Sequence, residues 1–276
     1  MKKSLVLLAL LAAHSAFAKD FFFTTEPIYA EHPDSAQAKK FYALCEDSIS
    51  IEIQRVKSNR PALDAIINKD IPDEKALADY YQATVSDTLE MTEGMAKEDI
   101  GLTMCTRELH YRPVYIGHYK SLEQFLVSYY EYAGGAHGIY GDSYYLIDEN
   151  DRQLSLSDLL EKDGESGLNA LLKAAYIDYV QKQYDDGHEE IADEGRKNHL
   201  GKSKPVKGEA ALREAGYLDD AYLDAVLTEK NNFYFSPEGL IFSYVPYQAG
   251  SFAEGQIELS LPYDKLSELI KAEYLP

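Results

Sequence analysis

The chain has 276 residues, 45% of them apolar, and carries 47 acidic against 27 basic side chains for a formal charge of −20 at pH 7. Length and apolar fraction are those of a folded protein with one large domain or two small ones. The negative field repels nucleic acid and anionic lipid and steers cationic partners inward, so a basic protein is the natural candidate partner. The plainer use of such a charge is to keep the chain soluble.

The chain opens MKKSLVLLALLAAHSAFAKD. Lys2 and Lys3 form a basic tip, Leu5 to Ala13 an apolar run, and Ala16-Phe17-Ala18 a small-residue site, which predicts a secretory signal cleaved after Ala18. The run is too short to span a bilayer. No cysteine follows it to take a lipid, and no second long apolar stretch lies downstream. The mature protein is therefore expected in the periplasm, with 25 basic and 47 acidic side chains and a charge of −22 once Lys2 and Lys3 are removed. In an oxidising compartment the even pair Cys45 and Cys105 makes a disulfide the default, with two buried thiols as the alternative. The bridge would close a 60-residue loop worth about 4 kcal/mol.

Phe21 to Thr25 reads as a first strand, and a polar turn at His32-Pro33-Asp34 follows. Ser48 to Ile53 alternates at period two and predicts a strand with three isoleucines on one face. Pro61 suits a first helical turn ahead of Leu63, Ile66 and Ile67. Asp73 to Met95 predicts a longer helix with an acidic outer face and Leu77, Tyr81, Val85, Thr88 and Thr92 along one side. Residues 103 to 119 read as a strand interrupted or bent at Pro113 and Gly117, and Leu122 to Tyr132 pairs with it. After the polar turn Asp148 to Asp151, Leu154 to Leu160 leads toward a helix capped by Ser155 or Ser157. Gly167 to Tyr184 is the clearest helix, with Leu168, Leu171, Leu172, Ala175, Tyr176 and Tyr179 on one stripe. Asp185 to Pro205 is charged and reads as an exposed excursion. A helix over Asp219 to Leu227 precedes a hairpin turning at Pro237-Glu238-Gly239. Ile257, Leu259 and Leu261 predict a last strand ended by Pro262, and Tyr263 to Glu273 a final helix. The predicted fold class is α+β, a largely antiparallel sheet built from a meander and a C-terminal hairpin and packed against several helices.

The stretch YYEYAGGAHGIYGDSYY, residues 129 to 145, places six tyrosines around a Gly134-Gly135-Ala136-His137-Gly138 turn. Its glycines permit a tight reversal and close backbone approach. With the later segment FYFSPEGLIFSYVPYQAGSFAEGQIELSLPYDKL it resembles the DUF3298 and DUF4163 family of bacterial exported domains. The resemblance rests on Tyr130 to Gly138, Leu154 to Leu160, Pro237 to Tyr247, Gly250 or Gly255, and Leu261 to Leu266. It covers most of residues 103 to 272, and PALDAIINKDI near residues 61 to 71 is consistent with the family's N-terminal half. It implies a region over 19–276, with an N-terminal part over 19–160 and a C-terminal part over 161–276. The family includes the extracytoplasmic domain of RsiV-type anti-sigma factors, which binds lysozyme, and a non-catalytic part of a peptidoglycan deacetylase. The implication here is a binding module without a signalling span or a deacetylase domain.

The resulting expectation is an exported, non-enzymatic acidic protein that binds a cationic partner such as lysozyme, or else peptidoglycan. Tyrosines supply rigid contact area with one hydrogen-bonding tip, which suits such an interface. The candidate binding residues are Tyr132, Gly134, Gly135, His137, Tyr140, Pro246 and Tyr247, with the glycines and His137 setting the turn and the tyrosines carrying recognition. No cofactor and no metal are expected. His110 and His118 lie on a strand with nothing that fixes them near His137, Ala192 breaks the zinc-protease pattern begun at His188-Glu189, and neither G-x-S-x-G nor S-x-x-K occurs. The acidic runs Asp185-Asp186 and Asp148 to Asp151 lack calcium-loop spacing. Two other classes stay open: a glycan hydrolase using two carboxylates, which the sequence does not nominate, and a structural envelope protein with another partner.

Overall fold

A computed structural model describes residues 22–28, 35–45, 48–198 and 206–276. Among them five strands form the larger sheet, Phe23–Ile28 (β1), Ile49–Ser58 (β2), Arg107–Tyr119 (β3), Leu122–Tyr132 (β4) and Ile139–Ile147 (β5), in that spatial order. All neighbours are antiparallel except β2 and β3, which run parallel. A parallel pair needs a long crossover. Pro61–Asn68 (α2), Glu74–Met91 (α3) and Leu102–Cys105 (α4) lie in it, while Ala36–Cys45 (α1) precedes β2. After β5 come Leu156–Leu159 (α5), Gly164–Asn198 (α6), Glu209–Glu214 (α7) and Asp220–Thr228 (α8). Phe233–Phe235 (β6), Gly239–Tyr244 (β7) and Ile257–Pro262 (β8) form a second, antiparallel sheet. The predicted α+β class is the observed one, with a meander at β3 to β5 and a hairpin at β6 and β7.

Three apolar clusters among the described residues hold these layers. Ile53, Leu63, Ile67, Leu77, Phe125 and Ile147 are buried where α2 and α3 cover the larger sheet. Leu168, Leu172, Tyr176, Val180 and Tyr184 recur every four residues on α6 and close a second core with Leu240, Phe242, Leu259, Leu261, Leu266 and Ile270. Leu171, Ala175 and Tyr179 flank that stripe half-buried. Cys45 and Cys105 are bonded, with Cα atoms 5.3 Å apart, and tie α1 to the end of α4. They sit among Phe41, Tyr81, Val85 and Leu89. Gln124 of β4 joins the two sheets by mimicking a strand neighbour. Its amide accepts from the Phe235 N–H at 2.8 Å and donates to the Phe235 carbonyl at 3.1 Å.

Several local expectations are corrected. Helix α6 runs to Asn198 through much of the stretch read as an exposed excursion, because its Glu, Ala, Lys and Arg residues are good helix formers and no proline interrupts it before Pro205. The helix expected over residues 263–273 is absent, and only short 3-10 turns occur at Tyr263–Lys265 and Ala272–Tyr274. The backbone there is committed elsewhere: the Leu269 carbonyl accepts from Glu161 N–H at 2.8 Å, and Lys271 N–H donates to the Leu159 carbonyl at 2.9 Å. Strand β3 bends at a bulge between Tyr115 and Gly117, where Gly117 has φ of 116°. It does not break register at Pro113, which stays opposite Val127 two residues past the last partner on β2, an edge position that tolerates a missing N–H. Helices α1 and α7 were not expected, and residues 103–105, expected to open the strand, belong to α4, so that β3 starts at Arg107. The signal segment with cleavage after Ala18, and the turn at His32 to Asp34, lie outside the described residues. Among the described residues no helix is long and apolar enough to cross a membrane.

The turn into α5 supplies an acid-sensitive contact. Asp158 accepts from the Ser155 hydroxyl at 2.6 Å and backbone N–H at 2.8 Å, and Arg152 donates to its other oxygen at 2.7 Å. Those bonds, led by the Ser155 hydroxyl, lower its pKa from 3.8 to about 2. A depressed carboxylate contributes stability that is present above 3.8 and lost as the pH falls toward 2. Asp158→Asn is expected to make the acid denaturation curve shallower across that window. An unchanged slope between wild type and variant would refute the assignment.

Candidate functional site

The glycine turn after β4 is held by contacts that its sequence makes necessary. Gly134 and Gly135 have φ of 91° and 97°, in the left-handed region that favours glycine. A side chain at Gly134 would also meet the Thr103 carbonyl at 3.0 Å and the Arg107 guanidinium at 3.2 Å. Arg107 is buried and donates to the Met104 and Thr106 carbonyls. The Tyr132 hydroxyl donates to the Gly135 carbonyl at 2.9 Å, and the Tyr130 ring lies over Gly138. The turn is thereby fixed from both sides.

It presents His137 against a second turn, Ser251 to Gly255. The imidazole stacks on Phe252 at 3.7 Å between centroids and 15° between planes. Tyr140 meets the same ring edge-on at 5.8 Å, and Tyr247 lies 5.7 Å away. His137 Nδ1 stands 3.1 Å from the Gly138 carbonyl, which can only accept, so Nδ1 bears the proton. The other ring nitrogen, Nε2, lies 3.3 Å from the Tyr247 hydroxyl, within hydrogen-bond reach. Tyr247 is 55% exposed and holds φ of 71°, an uncommon conformation for a bulky residue. Glu254 steadies the second turn by accepting from the Ser251 N–H at 2.7 Å and hydroxyl at 2.9 Å.

Of the residues expected to bind, His137, Tyr140 and Tyr247 converge on one patch. Gly134 and Gly135 shape the turn behind it, Tyr132 braces that turn, and Pro246 is buried, so it supports the patch without reaching its surface. Phe252, at the centre, was missed by the sequence reading. Its only local signal is the Ser251-x-x-Glu254 capping pattern, which marks a turn but not what the turn will meet.

Tyr140 also lines an open groove of about 460 Å³ between β5 and β8, with Ser128, Tyr129, Gly141, Asp142, Gln256 and Glu258. Asp142 accepts from the Ser128 hydroxyl at 2.6 Å and from the Gln256 amide at 3.4 Å, and its own N–H donates to Gln256 at 3.1 Å. Glu258 accepts from the Tyr144 and Tyr234 hydroxyls, each at 3.3 Å, and those two rings stack at 4.4 Å. Burial, then the Glu258 charge, pushes Tyr234 up to about 12, and the same two causes raise Tyr144. Both phenols are therefore protonated donors at neutral pH, and the groove's charge resides on its carboxylates.

Residues 157–264 match the model of a family described as a protein of unknown function, DUF3298, so that span carries a domain of this kind. No curated protein matches the chain. A crystal structure of a DUF3298 family member from Bacteroides fragilis superposes with a TM-score of 0.58 at 21% identity, covering 92% of this chain and 95% of that one. A second, from Pseudomonas aeruginosa, gives 0.55 at 16% identity, covering 92% and 97%. At these identities the likeness is one of fold.

Proposed function

We propose that this chain, with its DUF3298 domain, is an exported acidic binding protein that engages a basic protein through His137, Tyr140, Tyr247 and Phe252. The observation that carries the reading is a braced cluster of aromatic rings, open to solvent at Tyr247, on a chain of charge −20. Aromatic anchors with polar tips are the side chains that dominate protein interfaces, and opposite charge accelerates and orders the encounter. The ring order matters as well, because rigid anchors lose little conformational freedom on binding. Residues 130–138 and 237–266 resemble a family of exported domains that includes a lysozyme-binding member, which makes lysozyme the first partner to try.

Calorimetric titration with lysozyme at low and moderate salt is the test. Binding is expected to weaken as salt rises, and Tyr247→Ala and Phe252→Ala are each expected to cost about 2 kcal/mol, roughly 30-fold in affinity. Absence of binding at low salt, together with unchanged muramidase activity, would reject lysozyme. Retention on purified peptidoglycan that is indifferent to both substitutions would point to the glycan instead.

A further inference from the structure

We infer that the groove between β5 and β8 is a socket for an arginine side chain of the basic partner, an inference that rests on the binding reading above. The groove adjoins the aromatic patch through Tyr140, whose ring touches Phe252 on one side and lines the groove on the other. A partner seated on the patch therefore has the groove within reach of one long side chain.

Charge complementarity selects the occupant. Asp142 and Glu258 come from different sheets and line the same opening. Neither forms an ion pair among the described residues, whereas Glu165, Asp151 and Asp158 are each matched by a lysine or arginine. The partners of Asp142 and Glu258 are neutral hydroxyl and amide groups, which orient the carboxylates without cancelling their charge. Arg112 stands in the same row of the sheet, across β4 opposite Ser128, but forms no ion pair with Asp142. Each carboxylate has acceptor capacity left, because a carboxylate offers about four lone-pair sites.

Shape and chemistry favour a guanidinium over the other cations. Its flat fork of five donors can bond carboxylates on two walls while its face lies on an aromatic ring, here Tyr140. An ammonium is a hydrated point charge that uses the aromatic wall less well. Calcium needs six to eight oxygen ligands, more than two carboxylates and one amide supply.

The experiment titrates the mature chain with Nα-acetyl-arginine amide and, separately, with the isosteric uncharged citrulline amide, following backbone amide shifts. Saturable shifts at Gly141, Asp142 and Gln256 are expected with the arginine probe and not with citrulline. Asp142→Asn combined with Glu258→Gln should weaken the arginine response at least tenfold and weaken lysozyme binding too. Glu258→Gln alone, on the exposed wall, gives a milder variant, and thermal unfolding curves of both show whether they are folded. Equal responses to the two probes, or shifts outside the groove, would overturn the socket. So would release of sugar products from peptidoglycan that Asp142→Asn abolishes, since the carboxylates would then be a hydrolytic pair. If Tyr247→Ala weakens lysozyme binding while the carboxylate variants leave it unchanged, the binding reading stands and the socket falls. An arginine response in the groove with no lysozyme binding leaves the socket standing and removes lysozyme as the partner.

Discussion

Replacing Cys45 and Cys105 together by alanine is expected to lower the unfolding free energy by about 4 kcal/mol. The bridge closes a 60-residue loop that contains β2, α2, α3 and α4. Most of its contribution is the restriction it places on the unfolded chain, so the folded contacts need not change for the loss to appear. Domains of ordinary stability have about 5–15 kcal/mol in total, which makes this a large fraction. The bond also anchors α1, whose Phe41 is buried against Tyr81 and Val85. Just beyond Cys105, the Arg107 N–H donates to the Ser48 carbonyl at 2.9 Å, where the parallel pair β2 and β3 begins. Urea titration of wild type and double variant, read by the transition midpoint at constant slope, measures the effect. A thiol count on the unfolded, unreduced protein should find none, and a loss of less than about 1 kcal/mol in the variant would contradict the loop-closure account.

Gln124→Leu is expected to cost about 3 kcal/mol even though leucine preserves most of the side-chain volume. Gln124 is 5% exposed and Phe235 3% exposed, so the peptide groups facing each other across the two sheets are out of water. The substitution leaves the Phe235 N–H and carbonyl without the partners seen at 2.8 and 3.1 Å. Each buried orphan costs about 1–3 kcal/mol, more than the packing gained from a methyl group returns. Because the side chain bridges the larger sheet to β6, amide exchange should also quicken across β6 and β7. Uniform protection with a loss below about 1 kcal/mol would mean that the two sheets are held by packing alone. The disulfide lies in a different core, so the two effects should add.

Much of the architecture is legible locally. The alternation of Ile49, Ile51 and Ile53, the proline opening α2 and the four-residue recurrence of Leu168, Leu172 and Tyr176 each act within one element. The turn glycines are partly legible. Gly239 was read as hairpin chemistry, yet a side chain there would run into the Leu261 backbone, so close approach of β8 requires glycine at that position. The segment after Pro262 was misread because helical spacing of Leu266, Leu269 and Ile270 satisfies the pattern, while its backbone bonds go to residues near 160.

The site shows the same division. The acidic chain, the tyrosine-rich reversal shaped by Gly134 and Gly135 and the aromatic rings of Tyr140 and Tyr247 can all be read along the chain. That Phe252 stacks on His137, that Pro246 is buried and that Asp142 faces Gln256 from 114 positions away emerge from packing. Turn geometry and periodicity are set by neighbours along the chain, whereas a groove between β5 and β8 exists only once two separately formed sheets pack against each other.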